Sequence, residues 1–172
     1  SFEDKTGKKG MMVSAVDLLK GIAVGAGMGV STVEGANGGL HTNYEGKTEA
    51  ALKAVLEDGY DFAYIHVEAP DEMGHQGSVE KKVQAIEYLD GRVLKPLTER
   101  LDAKGTDYRL LILPDHPTPI RVRTHTADSV PYLLYDSTSP LEGKGDYNEA
   151  AGRESGNYVA EGYRLIEHLF EA

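Results

Sequence analysis

The chain has 172 residues, 40% of them hydrophobic and 27% charged, which is typical of a folded domain with its own core. Its formal net charge of −10 argues against nucleic acid and anionic membranes as partners, because both require clustered basic groups. There is no cysteine, so disulfides and thiolate metal sites are excluded, and any metal must be held by Asp, Glu and His.

Strands and helices are predicted to alternate along the chain. Apolar runs rich in β-branched residues predict five strands, at residues 10–16, 30–33, 60–67, 108–114 and 130–135. Amphipathic patterns predict four helices, at residues 17–28, 44–59, 78–101 and 155–172. This alternation is typical of an α/β layered fold, and we expect a mainly parallel sheet flanked by helices.

Local signals predict where these helices begin, end or bend. Asp17 is the expected N-cap of the first helix, and Gly27 or Gly29 is its expected end. Ser78 is the expected N-cap of the third helix, which Pro96 should kink or break. The third helix is also expected to bury one apolar stripe, formed by Val79, Val83, Ile86, Leu89, Val93 and Leu97.

The segment "YIHVEAPDEMGHQG", residues 64–77, begins as a strand and then turns polar. Pro70 and Gly74 are expected to shape a loop that carries Asp71 and His75. A D-x-x-x-H spacing is weak evidence by itself, since Asp–His hydrogen bonds are common. It becomes informative only in combination with further residues of the same kind.

A second polar cluster follows the apolar run 108–114, whose continuity predicts a strand covered on both faces. Asp115 and His116 come directly after that run, and His125 lies nine positions after His116. Ligand sites in open α/β sheets form beyond the carboxyl ends of the strands. We therefore expect these three side chains to converge with Asp71 and His75 at one edge of the sheet.

Five Asp and His ligands are too many for one four-coordinate metal with an open position, so they predict two adjacent metals. Mixed Asp and His ligation favours Zn²⁺ or Mn²⁺ over Ca²⁺, with Mg²⁺ and Co²⁺ as alternatives. A metal pair separated by roughly 3.5–4 Å can hold both the attacking and the leaving oxygen of a phosphoryl transfer. The acidic net charge is compatible with a phosphorylated substrate, because metal ions supply local positive charge.

Other polar residues are weaker candidates. Lys20 lies one turn into a helix that follows a strand, where it either contacts a substrate phosphate or is simply solvated. Arg121 and Arg123 similarly either bind a carboxylate or phosphate or are solvated. His66 is expected to be a hydrogen-bonded core residue or to support a metal ligand. The remaining histidines are expected at the surface, namely His41 and His168.

The stretch "HTNYEGKT", residues 41–48, ends in Gly46, Lys47 and Thr48, like a phosphate-binding P-loop. That fingerprint requires glycine at its first position, where this chain has His41. We therefore do not expect a nucleotide phosphate to bind here.

Four stretches together resemble the cofactor-independent phosphoglycerate mutases of the archaeal type, within the alkaline phosphatase superfamily. They are "SAVDLLKGIA", "HTNYEGKTEAAL", "VEAPDEMGHQG" and "LPDHPTPIRVRTHTADSVPYLLY". The resemblance covers nearly the whole chain, and the series D-x-x-x-H, D-H and H-T before a V-P strand is highly specific. It implies an alkaline-phosphatase-like fold and a cytoplasmic enzyme. The implied reaction interconverts 3- and 2-phosphoglycerate through a phosphoserine, without 2,3-bisphosphoglycerate.

The resemblance also implies how two divalent metals are held. One would be bound by Asp71, His75 and His125, and the other by Asp115 and His116 together with an Asp and a nucleophilic Ser from an N-terminal segment. Family members are about twice this length or more. Residues 1–172 are thus expected to be the C-terminal part of the catalytic domain, inactive alone, without the nucleophile segment and the cap domain. Three of the serines are available as candidates for the nucleophile, but none has the expected strand-to-helix context: Ser14, Ser31 and Ser78.

Alternative functions remain open at this point. The chain could belong to a phosphotransferase or phosphomonoesterase acting on another small substrate, such as the proposed homoserine kinases that resemble this subfamily. It could also be a non-catalytic metal-binding domain, although the presence of all five ligands argues against that. The metal, the exact substrate and the oligomeric state do not follow from the sequence.

Overall fold

The computed structural model describes residues 1–143 and 146–171. Their helices are α1 (Phe2–Thr6), α2 (Asp17–Gly25), α3 (Tyr44–Leu56), α4 (Ala69–His75), α5 (Val79–Leu89), α6 (Lys95–Lys104), α7 (Glu149–Glu154) and α8 (Leu165–Phe170). Their strands are β1 (Gly10–Val13), β2 (Gly29–Ser31), β3 (Phe62–Ile65), β4 (Arg109–Ile112) and β5 (Leu133–Asp136). No helix in this part of the chain has both the length and the apolar character needed to cross a membrane.

The chain divides into two compact units. The first comprises Ser1–Arg100 and Pro119–Thr124, and the second comprises Leu101–Thr118 and the described residues from His125 onward. The first unit contains a parallel sheet of order β2-β1-β3, and the second contains the antiparallel pair β4-β5. The expected α/β class, with a parallel sheet flanked by helices, is confirmed.

The core of the first unit holds α4 in place. Its buried members are Leu40, Tyr44, Ala69, Met73, Ala85 and Val93. Tyr44 is fully buried, and its hydroxyl donates to the Leu40 carbonyl at 2.8 Å, so its polar end is satisfied. Because Ala69 and Met73 belong to α4 and are 0% and 4% exposed, this short helix is anchored by its buried face.

The predicted loop between Pro70 and Gly74 is wrong, because the structure forms helix α4 there. A proline in the first turn of a helix is well tolerated, since its missing N–H has no partner in that turn. The Glu68 carbonyl starts the helix by accepting the N–H groups of Asp71 and Glu72 at 2.9 and 3.1 Å. Side chains four residues apart on α4 consequently share one face.

The third predicted helix is interrupted near Pro96, as expected. A π-helical segment, Asp90–Leu94, separates α5 from α6. In α-helical register, the missing N–H of Pro96 would have bonded to the Arg92 carbonyl. Thr48, which is 2% exposed, lies with its Oγ1 3.3 Å from that carbonyl and 3.0 Å from the Tyr44 carbonyl. This buried hydroxyl thus provides a donor where the proline provides none.

The predicted burial of the apolar stripe on this helix is wrong in its first half. Three members on α5 are 62%, 50% and 53% exposed, namely Val79, Val83 and Ile86. Ala85 is instead the fully buried residue of α5, and burial resumes at Val93 and Leu97. The 3.6-residue period identifies an apolar face but does not say whether that face or a neighbouring one meets the core.

Helix ends differ from expectation at some positions. Asp17 is the first residue of α2 rather than its N-cap, because Val16 takes the extended cap conformation. Gly27 follows the helix with a left-handed φ of +75°, as a helix-ending glycine should. Ser78 caps α5 as predicted, since its Oγ accepts the Lys81 N–H at 3.3 Å.

The second unit also departs from the sequence pattern. The strand predicted at residues 108–114 shortens to β4, whose residues are only half-buried, so coverage on both faces is wrong. The helix predicted from residue 155 begins only at Leu165, after the 3₁₀ turn Gly162–Arg164. A two-stranded pair cannot bury both faces as a central parallel strand does.

Candidate functional site

Helix α4 presents the first pair of predicted ligands. Asp71 and His75 are one turn apart and half-buried, with Asp71 Oδ2 3.3 Å from His75 Nε2. A tetrahedral metal with bonds of about 2.0–2.2 Å to oxygen and nitrogen separates those two atoms by about 3.4 Å. The spacing of the pair therefore fits the edge of a metal coordination shell.

The other nitrogen of His75 is held by the backbone. His75 Nδ1 lies 3.0 Å from the carbonyl oxygen of Arg123. A carbonyl only accepts, so Nδ1 carries the proton and donates. In a neutral ring the lone pair is then on Nε2, the nitrogen that faces Asp71. Ligating histidines typically have this arrangement, with the second nitrogen donating to a carbonyl or carboxylate.

The second unit holds the other three predicted ligands, beginning with Asp115 and His116 after β4. Asp115 Oδ1 accepts the backbone N–H of His116 at 3.1 Å, and Asp115 Oδ2 lies 3.3 Å from His116 Nε2. His116 Nδ1 is 3.3 Å from the hydroxyl of Thr118, a buried residue. The oxygen-to-nitrogen spacing is thus the same as in the Asp71–His75 pair.

His125 lies against His116 within that unit. Their rings are stacked, with centroids 3.5 Å apart and planes inclined by 26°. The N–H of Thr126 donates to the carbonyl of Pro117 at 3.1 Å, which brings the two segments side by side. Asp115, His116 and His125 therefore lie in the same unit, with the ring of His125 against that of His116.

Two of the five predicted ligands, Asp71 and His75, thus belong to the first unit, and the other three belong to the second. Along the chain, Arg123 of the first unit precedes His125 of the second by two residues. The convergence of all five side chains stays a prediction.

Two charged residues near α4 were not expected to be buried near the candidate site from the sequence. Lys47 of α3 is 0% exposed, and its Nζ donates to the His66 carbonyl at 2.9 Å. Burial lowers the pKa of Lys47, and the nearby Glu68 carboxylate opposes that shift. Burial raises the pKa of Glu68, whereas Lys47 acts in the opposite direction. A sequence signal existed, because Lys47 shares the helical spacing of the buried Ala51.

Ser14 and His66 extend this polar group, but they do not form a catalytic triad. Ser14 Oγ lies 3.2 Å from His66 Nδ1, and Glu68 Oε1 lies 4.0 Å from the same nitrogen. A triad places the nucleophile and the carboxylate on opposite ring nitrogens. Ser14 is also buried and accepts the Val16 N–H at 3.0 Å, so its contacts are those of a structural residue.

The side chains of the weaker candidates lie at the surface. Lys20 Nζ is 3.0 Å from Asp17 Oδ1, one turn away on α2. Arg121 and Arg123 are exposed. The two histidines expected at the surface are indeed exposed, namely His41 and His168.

Comparison with known proteins places these features in a family. The model of a family described as the Metalloenzyme superfamily matches residues 1–155. A probable 2,3-bisphosphoglycerate-independent phosphoglycerate mutase from Geobacter sulfurreducens is 47% identical over 172 residues, which cover 99% of this chain and 42% of that protein. A protein named 2,3-bisphosphoglycerate-independent phosphoglycerate mutase from Methanothrix thermoacetophila is 45% identical over 168 residues, covering 98% of this chain and 42% of that protein.

One solved structure has a similar fold. The structure of the PH0037 protein from Pyrococcus horikoshii has a TM-score of 0.84 and 28% identity, covering 98% of this chain and 50% of that one. The chain spans about two fifths of the length of the two curated relatives described above. The resemblance seen in the sequence and the expected alkaline-phosphatase-like fold are confirmed. With a family match over most of its length, the chain belongs to the Metalloenzyme superfamily.

Proposed function

We propose that this chain supplies metal ligands for the interconversion of 3- and 2-phosphoglycerate by a cofactor-independent phosphoglycerate mutase. The observation that carries the proposal is the Asp71–His75 pair on α4, with its 3.3 Å spacing and the Nδ1 contact to the Arg123 carbonyl. The names of these two relatives support the substrate class. Because the chain spans only part of those relatives, the activity is proposed for the full product of its gene.

The proposed ligand sets divide the five residues between two divalent ions. Asp71, His75 and His125 would hold one ion, and Asp115 and His116 would contribute to the other. The equal oxygen-to-nitrogen spacings in the two Asp–His pairs support this division. The stacking of His116 on His125 supports it too, because it brings one ligand of each ion together. Mn²⁺ and Zn²⁺ are the ions that the donor set suits best.

The residues of this chain would act by holding the two metal ions in place rather than by transferring protons. When bound, two divalent ions supply positive charge that stabilises the phosphoryl oxygens and activates an attacking hydroxyl. Asp71 and His75 present an anionic oxygen and a nitrogen lone pair to the same side of α4. After β4, the Asp115 carboxylate and the His116 ring likewise provide an anionic oxygen and a ring nitrogen. The serine that carries the phosphoryl group is expected outside this chain.

An assay with purified protein tests this proposal. The full gene product, stripped of metal and then supplied with Mn²⁺, should convert 3-phosphoglycerate to 2-phosphoglycerate without added 2,3-bisphosphoglycerate. His75→Gln and Asp115→Asn should each lose most of this activity, whereas His41→Gln in the exposed loop should keep it. Full activity in the presence of a strong chelator would contradict the proposal. Turnover of other phosphate esters, without mutase activity, would favour a phosphomonoesterase.

A further inference from the structure

Arg123 has a backbone conformation that is unusual for its residue type. Its φ is +58°, and it is the only non-glycine residue with a positive φ among residues 1–143 and 146–171. The left-handed region is unfavourable for residues with a Cβ, and such residues are found where the surrounding contacts maintain them, often near functional sites. Arg123 was predicted only as an anion-binding or solvated side chain, so its backbone calls for a different explanation.

The turn that precedes Arg123 fixes the direction of its carbonyl. The N–H groups of Val122 and Arg123 both donate to the Pro119 carbonyl at 2.9 Å, so residues 119–123 form a tight turn. The left-handed residue ends this turn, and its carbonyl oxygen lies 3.0 Å from His75 Nδ1. An extended conformation at Arg123 would rotate that carbonyl away from the histidine.

The Arg123 side chain is seated on the segment that follows α4. A Cβ added to Gly77 would lie 2.4 Å from Arg123 Nε and 2.7 Å from Cζ, so the guanidinium lies against the α-carbon of this glycine. Gly77 has a left-handed φ of +71° and donates its N–H to the Gly74 carbonyl at 3.0 Å. Arg123 therefore contacts the C-terminal end of α4 twice, once through its carbonyl at His75 and once through its side chain at Gly77.

We propose that Arg123 is a positioning residue. Its left-handed backbone directs its carbonyl to His75 Nδ1 and so orients His75 for metal binding. The carbonyl holds the proton on Nδ1 and thereby leaves Nε2 as the ligating atom beside Asp71. The inference rests on the proposed function of His75 as a metal ligand. Arg123 itself need not touch the metal or the substrate.

Substitutions that differ in their tolerance of left-handed φ test this role. Arg123→Val disfavours the conformation because Val is β-branched, whereas Arg123→Asn accepts it, since asparagine is enriched there. Calorimetry on the metal-stripped full gene product should show that Arg123→Val weakens Mn²⁺ binding by about 10–100-fold, the range typical of residues that orient a ligand. Arg123→Asn should lose less than 10-fold. Arg121→Val, at an exposed arginine with ordinary φ in the same segment, should be unchanged.

The histidine tautomer provides a readout that does not depend on activity or on bound metal. Long-range ¹H–¹⁵N NMR of the metal-free wild type should show His75 protonated on Nδ1, and Arg123→Val should raise the Nε2–H population. Two results would overturn the inference about Arg123 but leave the proposed function intact. One is an Nε2–H tautomer in the wild type, and the other is a folded Arg123→Val variant that binds Mn²⁺ as tightly as the wild type. A wild-type protein that binds no divalent metal overturns the proposed function and this inference together.

Discussion

Asp71 Oδ2 and His75 Nε2 face each other at 3.3 Å across one turn of α4, and the buried face of that helix is anchored in the core. A carboxylate oxygen and a histidine lone pair at this distance repel unless a cation or a proton lies between them. His75 Nδ1 donates a hydrogen bond to the backbone carbonyl of Arg123, and a metal cation bound at Nε2 would satisfy both the imidazole and the carboxylate. This relationship supports the proposed metal site.

Removing the imidazole of His75 should weaken metal binding far more than removing that of His41. His75→Ala should lose more than the 10–100-fold typical of residues that only orient a ligand, because a ligating atom disappears. His41→Ala is the matched control, since the His41 side chain is exposed and precedes α3. Calorimetric titration with Mn²⁺ measures both variants, and equal affinities would count against the assignment of His75.

Lys47→Met should destabilise the first unit. The substitution keeps most of the aliphatic stem but removes the hydrogen bond that Lys47 donates to the His66 carbonyl and the cation beside Glu68. The expected loss in the free energy of unfolding is about 1–3 kcal/mol, measured by urea denaturation. Lys53→Met on the same helix is the control. Lys53 is exposed and pairs with Asp58 at the surface, where ion pairs contribute little. Equal losses for the two variants would show that the buried ammonium has no special role.

Thr48→Val should destabilise the protein by about 1–2 kcal/mol, because it removes a buried hydroxyl from the Arg92 carbonyl at the π-helical segment. Thr98→Val is the control, since the Thr98 hydroxyl contacts only carbonyls of its own helix, those of Leu94 and Lys95. Thermal unfolding of both variants measures their stabilities, and Thr48→Val should lose more stability than Thr98→Val. A Thr48→Val variant as stable as Thr98→Val would mean that the Arg92 carbonyl is satisfied in another way.

Asp136 should make stability depend on pH in the acid range. Hydrogen bonds from Thr138 and Arg109 lower the pKa of Asp136 to about 2, from an ordinary value of 3.8. A lowered pKa means that this carboxylate stabilises the folded protein above the ordinary value, and that the contribution is lost as the pH falls towards about 2. The difference in unfolding free energy between wild type and Asp136→Asn should therefore shrink between pH 5 and pH 2.

Arg109→Met tests the origin of that pH dependence. Arg109 Nε donates to Asp136 Oδ2 at 2.6 Å, so the variant should remove part of the same pH-dependent contribution. Denaturant titrations at several pH values measure the unfolding free energy of each protein. A wild-type minus Asp136→Asn difference that stays constant over this range would contradict the lowered pKa.

Much of the fold could be predicted because its signals are local. The alternation of apolar runs and amphipathic stretches indicated the parallel sheet, and the cap at Ser78 and the break near Pro96 were found where the sequence indicated them. Helix α4 was missed because proline and glycine were treated as loop residues. Pro70 is compatible with a first helical turn, and only the packing of Met73 in the core reveals that the segment is helical.

The candidate ligands could be named from the sequence, but their surroundings could not. Residue type and spacing pointed to Asp71, His75, Asp115, His116 and His125. The Nδ1 contact of His75 is made with Arg123, whose left-handed φ no residue preference predicts. The burial of Lys47 depends on which face of α3 meets the core, and that is a tertiary property.

Anomalous X-ray diffraction from crystals of the Mn²⁺-loaded full gene product tests the central claim most directly. We predict two Mn²⁺ positions roughly 3.5–4 Å apart, one bound by Asp71, His75 and His125 and the other by Asp115 and His116. A single ion, or ions bound away from these five side chains, would contradict the account.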